Sequence, residues 1–437
     1  MAAIPLLVEE SSSGSSGALL TSLAEMKHGR SAPSQVEAIG SMRLPRKLAI
    51  YPASAGFDMI EELEHLCARS IEPNVFFNPR FLAPAMPRLE DREVRLAVIR
   101  DGDEERSRLR LLVPFSVEKP SIPLGVPVMR TWASPFGPLG TPLIDRDDPA
   151  GVIDDLFSIL ARPHLRLPRV FVLPDVRMDG PFAAMLRSLA ESRGLPLTTT
   201  NEVERPFLQS TLDGEAYLRA ALRSHHLREF RRLRRRLGDL GRLEHVVARS
   251  PEEVRVGVEA FLTLEASGWK GKQRSAMVVD RYRAAFAREA VNGLAERDLS
   301  RVHLLTLDGK IIACLVVFVE NGVAYTWKTA YDEAYAQYSP GTLLMIDVTA
   351  SHLEDPNITA TDSCAVPDHP IMSRLWMEHR PIGTFVVGLT PGADRLTRQA
   401  AAQLHLYNQT RNLARIVRNR VRDLVSPKAK RGRRDED

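Results

Sequence analysis

Two dipeptides constrain the second half of this chain more than any other feature. Asp308-Gly309 and Asn321-Gly322 separate three apolar, β-branched runs, "VHLLTL", "KIIACLVVFV" and "VAYTWKTA". Asp-Gly and Asn-Gly supply the positive φ angles of the two-residue turns whose twist matches paired strands. The stretch therefore reads as an antiparallel meander of Val302–Leu307, Lys310–Val319 and Val323–Ala330. Its third strand runs into "YDEAYAQYSPGTLLMID", where the pattern breaks at Ser339-Pro340-Gly341 and resumes as a helix over 342–354. A helix that starts at a strand end brings unpartnered first-turn N–H groups and the positive end of its dipole to one place. Such a junction is either a plain turn capped by Ser339 or a seat for a phosphate. Gly341 removes the Cβ that would hold an anion off the backbone, and Pro340 stiffens the turn.

The same mixture of periods continues on both sides. "PEEVRVGVEAFLTLEASG" has helical spacing behind an N-capping Ser250, with Pro251 at the first helical position. Beyond the junction the pattern predicts strand 358–366, helix 369–379 and strand 382–389. In the first half, "EVRLAVIRDGDEERSRLRLLVPFSVE" reads as two strands joined by a polar loop from Arg100 to Arg108. "VIDDLFSILA", "RVFVLPDV" and "FAAMLRSLAESRG" read as helix, strand, helix. The stretch from Pro114 to Pro142 has the PxxP spacings of a polyproline ligand, but its apolar and aromatic neighbours favour ordered loops packed on a sheet. The Val94–Val117 hairpin takes the place in its half that the 302–319 hairpin takes in the other, which indicates an internal duplication. The expected class is α/β, with an α+β mixed sheet in two tandem halves. The expected division is a disordered leader at 1–45 carrying "SSSGSSG", an N-terminal half at 46–204, a C-terminal half at 205–392, and an amphipathic basic helix with a charged tail at 393–437.

A chain of 437 residues with 44% hydrophobic content has enough apolar material for two or three domains. It has no apolar run of transmembrane length and no secretory pattern. Its three cysteines, Cys67, Cys314 and Cys364, stand far apart and make no metal spacing. These features predict a cytoplasmic protein without disulfides or a metal. The net charge of +4 hides a strong cluster: "RAALRSHHLREFRRLRRRLGDLGR" holds nine arginines around one apolar face. That face is either solvated or meets a polyanion through Arg231, Arg232, Arg234, Arg235 and Arg236, with CoA phosphates, tRNA and an anionic membrane surface as the classes it fits. His226 and Glu229 share a helix face but make too few ligands for a metal.

Four stretches, "LRSHHLREFRRLRRRLGDLG", "FLTLEASGWKGK", "YDEAYAQYSPGTLL" and "TDSCAVPDHPIMSRLW", resemble the GNAT-type acyltransferases, in particular the BioF2-like and CelD-like group related to the Fem (FemAB-like) peptidyltransferases. The resemblance covers about Asp213 to Leu389, and tandem GNAT-like halves are a Fem feature. It implies an acyltransferase that moves an acetyl or longer acyl group from acyl-CoA to an amine or hydroxyl acceptor, in polysaccharide or cell-envelope biosynthesis. It also implies that Ser339, Gly341, Thr342 and Leu343 give the phosphate-facing backbone. The sequence departs from the usual Gln/Arg-x-x-Gly-x-Gly/Ala loop, because Gln337 stands four residues before Gly341 and Leu343 fills the last small position. Asp362, at an acidic position common in the group, and Glu265, before "SGWKG", are the candidate bases. Trp269, Lys270 and Tyr331 are candidates for the acceptor side. Cys364 with His369 has the residue types of a nucleophile pair, but direct transfer needs no covalent enzyme. Two other readings stay open: a Fem-like transferase using aminoacyl-tRNA, and a non-catalytic adaptor that binds nucleic acid or membrane through its arginine helices.

Overall fold

The structure is a computed structural model that describes residues 31–39, 46–89, 92–102, 107–120, 125–366, 369 and 371–407. Fourteen strands belong to one sheet: β1 Gln35–Ile39, β2 Arg46–Pro52, β3 Val94–Asp101, β4 Arg108–Glu118, β5 Val128–Thr131, β6 Leu143–Ile144, β7 Val170–Arg177, β8 Leu197–Leu208, β9 Leu243–Ala248, β10 Ser300–Leu307, β11 Lys310–Glu320, β12 Val323–Tyr331, β13 Ala360–Asp362 and β14 Glu378–Gly388. The helices longer than two turns are α1 Ile60–Arg69, α2 Pro79–Leu89, α3 Pro149–Leu160, α4 Pro181–Arg193, α5 Gly214–Ala221, α6 Ser224–Gly238, α7 Pro251–Ser267, α8 Arg281–Ala295, α9 Pro340–Glu354 and a last one, α10, described over 394–407. The expected amphipathic helix continues to 424, and that remainder lies outside the described residues.

Local chemistry explains most of these elements. Asp308, Gly309, Asn321 and Gly322 all take positive φ, as tight hairpins require, so β10–β11–β12 is the expected meander within two residues at each end. Ser250 and Glu253 form a reciprocal capping box at the start of α7. Three expectations change. Residues 35–39, placed in the leader, form β1 along β2, and Glu37 ties that edge strand to Arg162 and His164. The strand predicted at 358–366 shrinks to β13, because the Asp362 carboxylate accepts the Cys364 N–H at 2.8 Å and turns the chain away. The helix predicted at 369–379 is one turn, Met372–Leu375, and β14 begins at Glu378.

The sheet order is β1-β2-β3-β4-β5-β7-β14-β8-β13-β12-β11-β10-β9, with β6 beside β4. Each half runs through an antiparallel set into a parallel pair, β5 with β7 and β12 with β13. The halves then exchange strands. β8, from the first half, pairs with β13, while β14, from the second, lies between β7 and β8. The division expected at 204/205 falls inside β8. A shared aromatic core joins the halves: Phe81 of α2 packs edge-on against Phe286 at 5.2 Å and Phe318 at 5.7 Å. A chain cut in the loop after β8, near residue 210, should therefore yield two fragments that are insoluble alone and soluble when co-expressed. Recovery of either fragment as a folded monomer would contradict the exchange.

Three histidines meet where α9 packs on the sheet: His352 of α9, His303 of β10 and His245 of β9. His245 Nε2 meets His303 Nδ1 at 3.1 Å, and His352 Nδ1 meets Thr361 Oγ1 at 3.0 Å. Burial, reinforced by Arg301, brings His352 down to about 3; burial, His352 and His245 together hold His303 well below the usual range. Their neutral forms fold, while the unfolded chain takes up protons below pH 6.5. Stability is thus full above about 6.5 and falls as pH drops towards 3, by about 1.4 kcal/mol per pH unit for each such histidine. Thermal midpoints measured from pH 7 to pH 4.5 should show that slope, and His352→Gln should flatten it.

Candidate active site

β12 and β13 run parallel only through Val323–Tyr325 and Ala360–Asp362. Beyond Tyr325 two features part them. The register of β12 against β11 shifts so that Trp327 is an extra residue, and such a bulge bends a strand. On the other side Cys364 takes a left-handed conformation, φ 49°, and leads the chain out of the sheet. The result is a cleft of about 480 Å³ walled by residues 326–329 of β12, the start of α9 and residues 363–366. Its roof comes from the first half. Phe136 O accepts the Trp327 indole N–H at 2.7 Å, and Pro135 O accepts Lys328 Nζ at 3.3 Å.

The Ser-Pro-Gly junction forms the floor. A short 3₁₀ helix, Glu333–Tyr338, links β12 to α9, capped by the Asp332 carboxylate on the Ala334 N–H at 3.0 Å. Ser339 follows in the left-handed region at φ 52°, and its hydroxyl makes no capping bond. The junction is therefore not the serine-capped turn. Ser339 N–H donates to Ala336 O at 3.0 Å, while the amides of Thr342 and Leu343 donate to Ser339 O at 2.9 and 3.1 Å. Ser339, Gly341 and Thr342 line the cleft. Leu343 does not: its side chain is in the core and its amide is engaged. Gly341 lines the cleft in the first turn of α9 and presents no side chain to it. A Cβ there would meet Tyr331 Cδ1 at 3.4 Å, an ordinary contact.

Both candidate bases are misplaced for that role. Glu265 is buried behind the wall, with Oε1 on Lys270 Nζ at 2.7 Å and Oε2 accepting the Met277 N–H at 2.8 Å. It holds Lys270, which does line the cleft, as Tyr331 does. Asp362 is 1% exposed, between Arg205 at 3.5 Å and Arg177 at 3.8 Å, with Oδ1 on the Cys364 amide. It fixes the parting of the strands rather than facing the cleft. Trp269 is exposed outside the cleft wall, and its amide donates to Glu333 Oε1 at 2.6 Å. Burial and Asp362 push the Cys364 thiol well up, and His369 Nδ1 accepts the Met372 N–H at 3.3 Å, so the two are no nucleophile pair.

The arginine helix, α6, packs along the 3₁₀ turn, with the Arg236 guanidinium 5.6 Å from the centre of the Tyr338 ring. Glu215, Glu229 and Asp347 pair with Arg231, Arg232 and Arg234. The sequence also gave no role to Lys328, though a lone charge inside an uncharged strand was a signal. Among the described residues no group of acidic, histidine or cysteine side chains is placed to hold a metal, and no helix is long and apolar enough to cross a membrane.

Residues 224–363 match the family described as "Acetyltransferase (GNAT) domain". The chain carries a GNAT acyltransferase domain. That match spans α6 to the end of β13, so the GNAT domain contains the parted strands and the junction. Among solved structures, the C-terminal domain (DUF2156) of a candidate lysylphosphatidylglycerol synthetase from Agrobacterium fabrum is similar at TM-score 0.50 and 14% identity, covering 81% of this chain and 96% of that one. FemX is similar at TM-score 0.49 and 10% identity over 75% of this chain and 95% of its own. A comparison with curated protein sequences finds no match. The first half repeats the parallel strand pair of the matched domain, β5 with β7, but that pair lacks the second's junction. There the chain leaves β5 into the roof loop, and α3 is capped by the Asp148 carboxylate, which accepts the Gly151 N–H at 3.3 Å.

Proposed function

We propose that this GNAT domain transfers an acetyl or longer acyl group from acyl-CoA to an amine or hydroxyl, with the second half as the working one. The observation that carries the reading is the cleft itself: a strand bared by its neighbour's departure, ending at a helix N-terminus with a glycine in its first turn. The free edge of β12 past Tyr325 suits the pantetheine amides, and the Gly341 end suits the pyrophosphate. Backbone N–H groups freed at the bulge would steady the oxyanion as the acceptor attacks the thioester carbonyl. A transferase using charged tRNA is less well supported, because three of the five arginines offered for RNA are already held by carboxylates. Calorimetric titration with acetyl-CoA and with unacylated tRNA at low salt tests the choice. Binding of acetyl-CoA alone is expected; binding of tRNA alone would overturn the reading.

A further inference from the structure

Resting on the acyl-CoA reading, we propose that Lys328 is the group that takes the proton from the attacking acceptor. Three observations point to it. First, it follows directly on the Trp327 bulge, on the stretch of β12 that β13 has left, and it lines the cleft. Second, both carboxylates offered for this task are turned away and fully engaged. Third, Lys328 is held without a carboxylate: Nζ donates to Pro135 O at 3.3 Å and lies 4.7 Å from the centre of the Phe136 ring. A carbonyl and a ring face both attract the ammonium, but neither carries the full negative charge with which a carboxylate would fix it as a cation.

The surroundings favour the neutral amine. Burial, followed by the Lys270 charge, brings Lys328 down to about 8, with Glu265 and Cys364 acting weakly the other way. From the roof side, Arg283 lies 5.8 Å from the centre of the same Phe136 ring. His369 and Tyr331 are the other titratable groups lining the cleft. An ordinary lysine is neutral in about one molecule in a thousand near pH 7.4, whereas one at 8 is neutral in roughly one in five. That is the match between base and working pH that proton transfer needs.

The step balances. The acceptor nitrogen or oxygen bonds to the carbonyl carbon as its proton passes to Nζ. The C–S bond then breaks, and the departing CoA thiolate takes that proton, so the lysine returns neutral and free thiol is released.

Trace labelling with acetic anhydride, read by mass spectrometry on the full-length chain, measures Lys328 directly. Labelling should rise with a midpoint at about 8 and be suppressed by CoA. A midpoint near the ordinary lysine value of about 10.4 overturns the proposal. So does labelling that saturating CoA leaves untouched. Acetyl-CoA cleavage, with water or ethanolamine as acceptor, supplies the second readout. Lys328→Met should lower kcat by ~10²–10⁴, leave the KM for acetyl-CoA unchanged, and abolish the rise of rate with pH. Lys328→Arg should be as inactive, since a guanidinium cannot accept the proton. Rescue by arginine would show that only charge is needed and overturn the base. Failure of CoA to bind at all removes the acyl-CoA reading, whereas bound CoA with an ordinary Lys328 removes this inference alone.

Discussion

Asp362→Ala should cost about 3–5 kcal/mol of stability, the range for stripping one partner from a buried ion pair. The residue is 1% exposed and stands between two guanidiniums, Arg205 at 3.5 Å and Arg177 at 3.8 Å. Burial would weaken the Arg177 cation, but Tyr325, Asp362 and Glu72 together outweigh it and raise its pKa. Removing Asp362 leaves both cations buried, with Glu72 at 3.7 Å from Arg177 as the nearest remaining carboxylate. It also strips the Cys364 amide of its acceptor at the turn that ends β13. Asp362→Asn keeps an oxygen for that amide and should lose less. Denaturant midpoints at constant slope test this ordering. A base facing the cleft would behave the other way, with full stability and lost turnover. An Asp362→Ala protein as stable as the parent would end the structural assignment.

How much of this was legible beforehand follows from range along the chain. The meander, the capping box at Ser250 and the break at Ser339-Pro340-Gly341 depend on φ angles and caps set by adjacent residues, and all appear where the sequence put them. The strand exchange depends on β14 finding β7 and β8 far back along the chain, with partners such as Gly388 and Val170 or Glu378 and Phe207, for which no local signal exists. Glu265 and Asp362 show the same limit at the site. Each has the chemistry of a base, but burial and its partners decide what a carboxylate does, and Met277, Arg177 and Arg205 are remote in sequence or unmarked by any motif. Lys328 is hard to read from sequence for the converse reason. Its role depends on a bulge one residue before it and on a roof loop from the other half.

Gly341→Asp should reduce acetyl-CoA affinity by ~10²–10³ without harming the fold. The glycine has ordinary backbone geometry and room for a Cβ, 3.4 Å from Tyr331 Cδ1, so the substitution meets no wall. A carboxylate in the first turn of α9 interacts well with the helix dipole, by about 0.3–1 kcal/mol, so thermal stability should hold or rise. The same carboxylate would stand where the donor's pyrophosphate is proposed to lie. Two unit charges 4 Å apart repel by about 4 kcal/mol at an effective dielectric of ~20, and salt reduces this. Gly341→Asn, of nearly equal size but neutral, separates charge from bulk and should lose far less affinity. Gly341→Ala should bind nearly as the parent does. The loss in Gly341→Asp should shrink as salt rises, since screening acts on the repulsion more than on apolar contacts of the acyl chain. A folded Gly341→Asp protein that binds acetyl-CoA with parental affinity would place the pyrophosphate elsewhere and detach the Ser-Pro-Gly junction from donor binding.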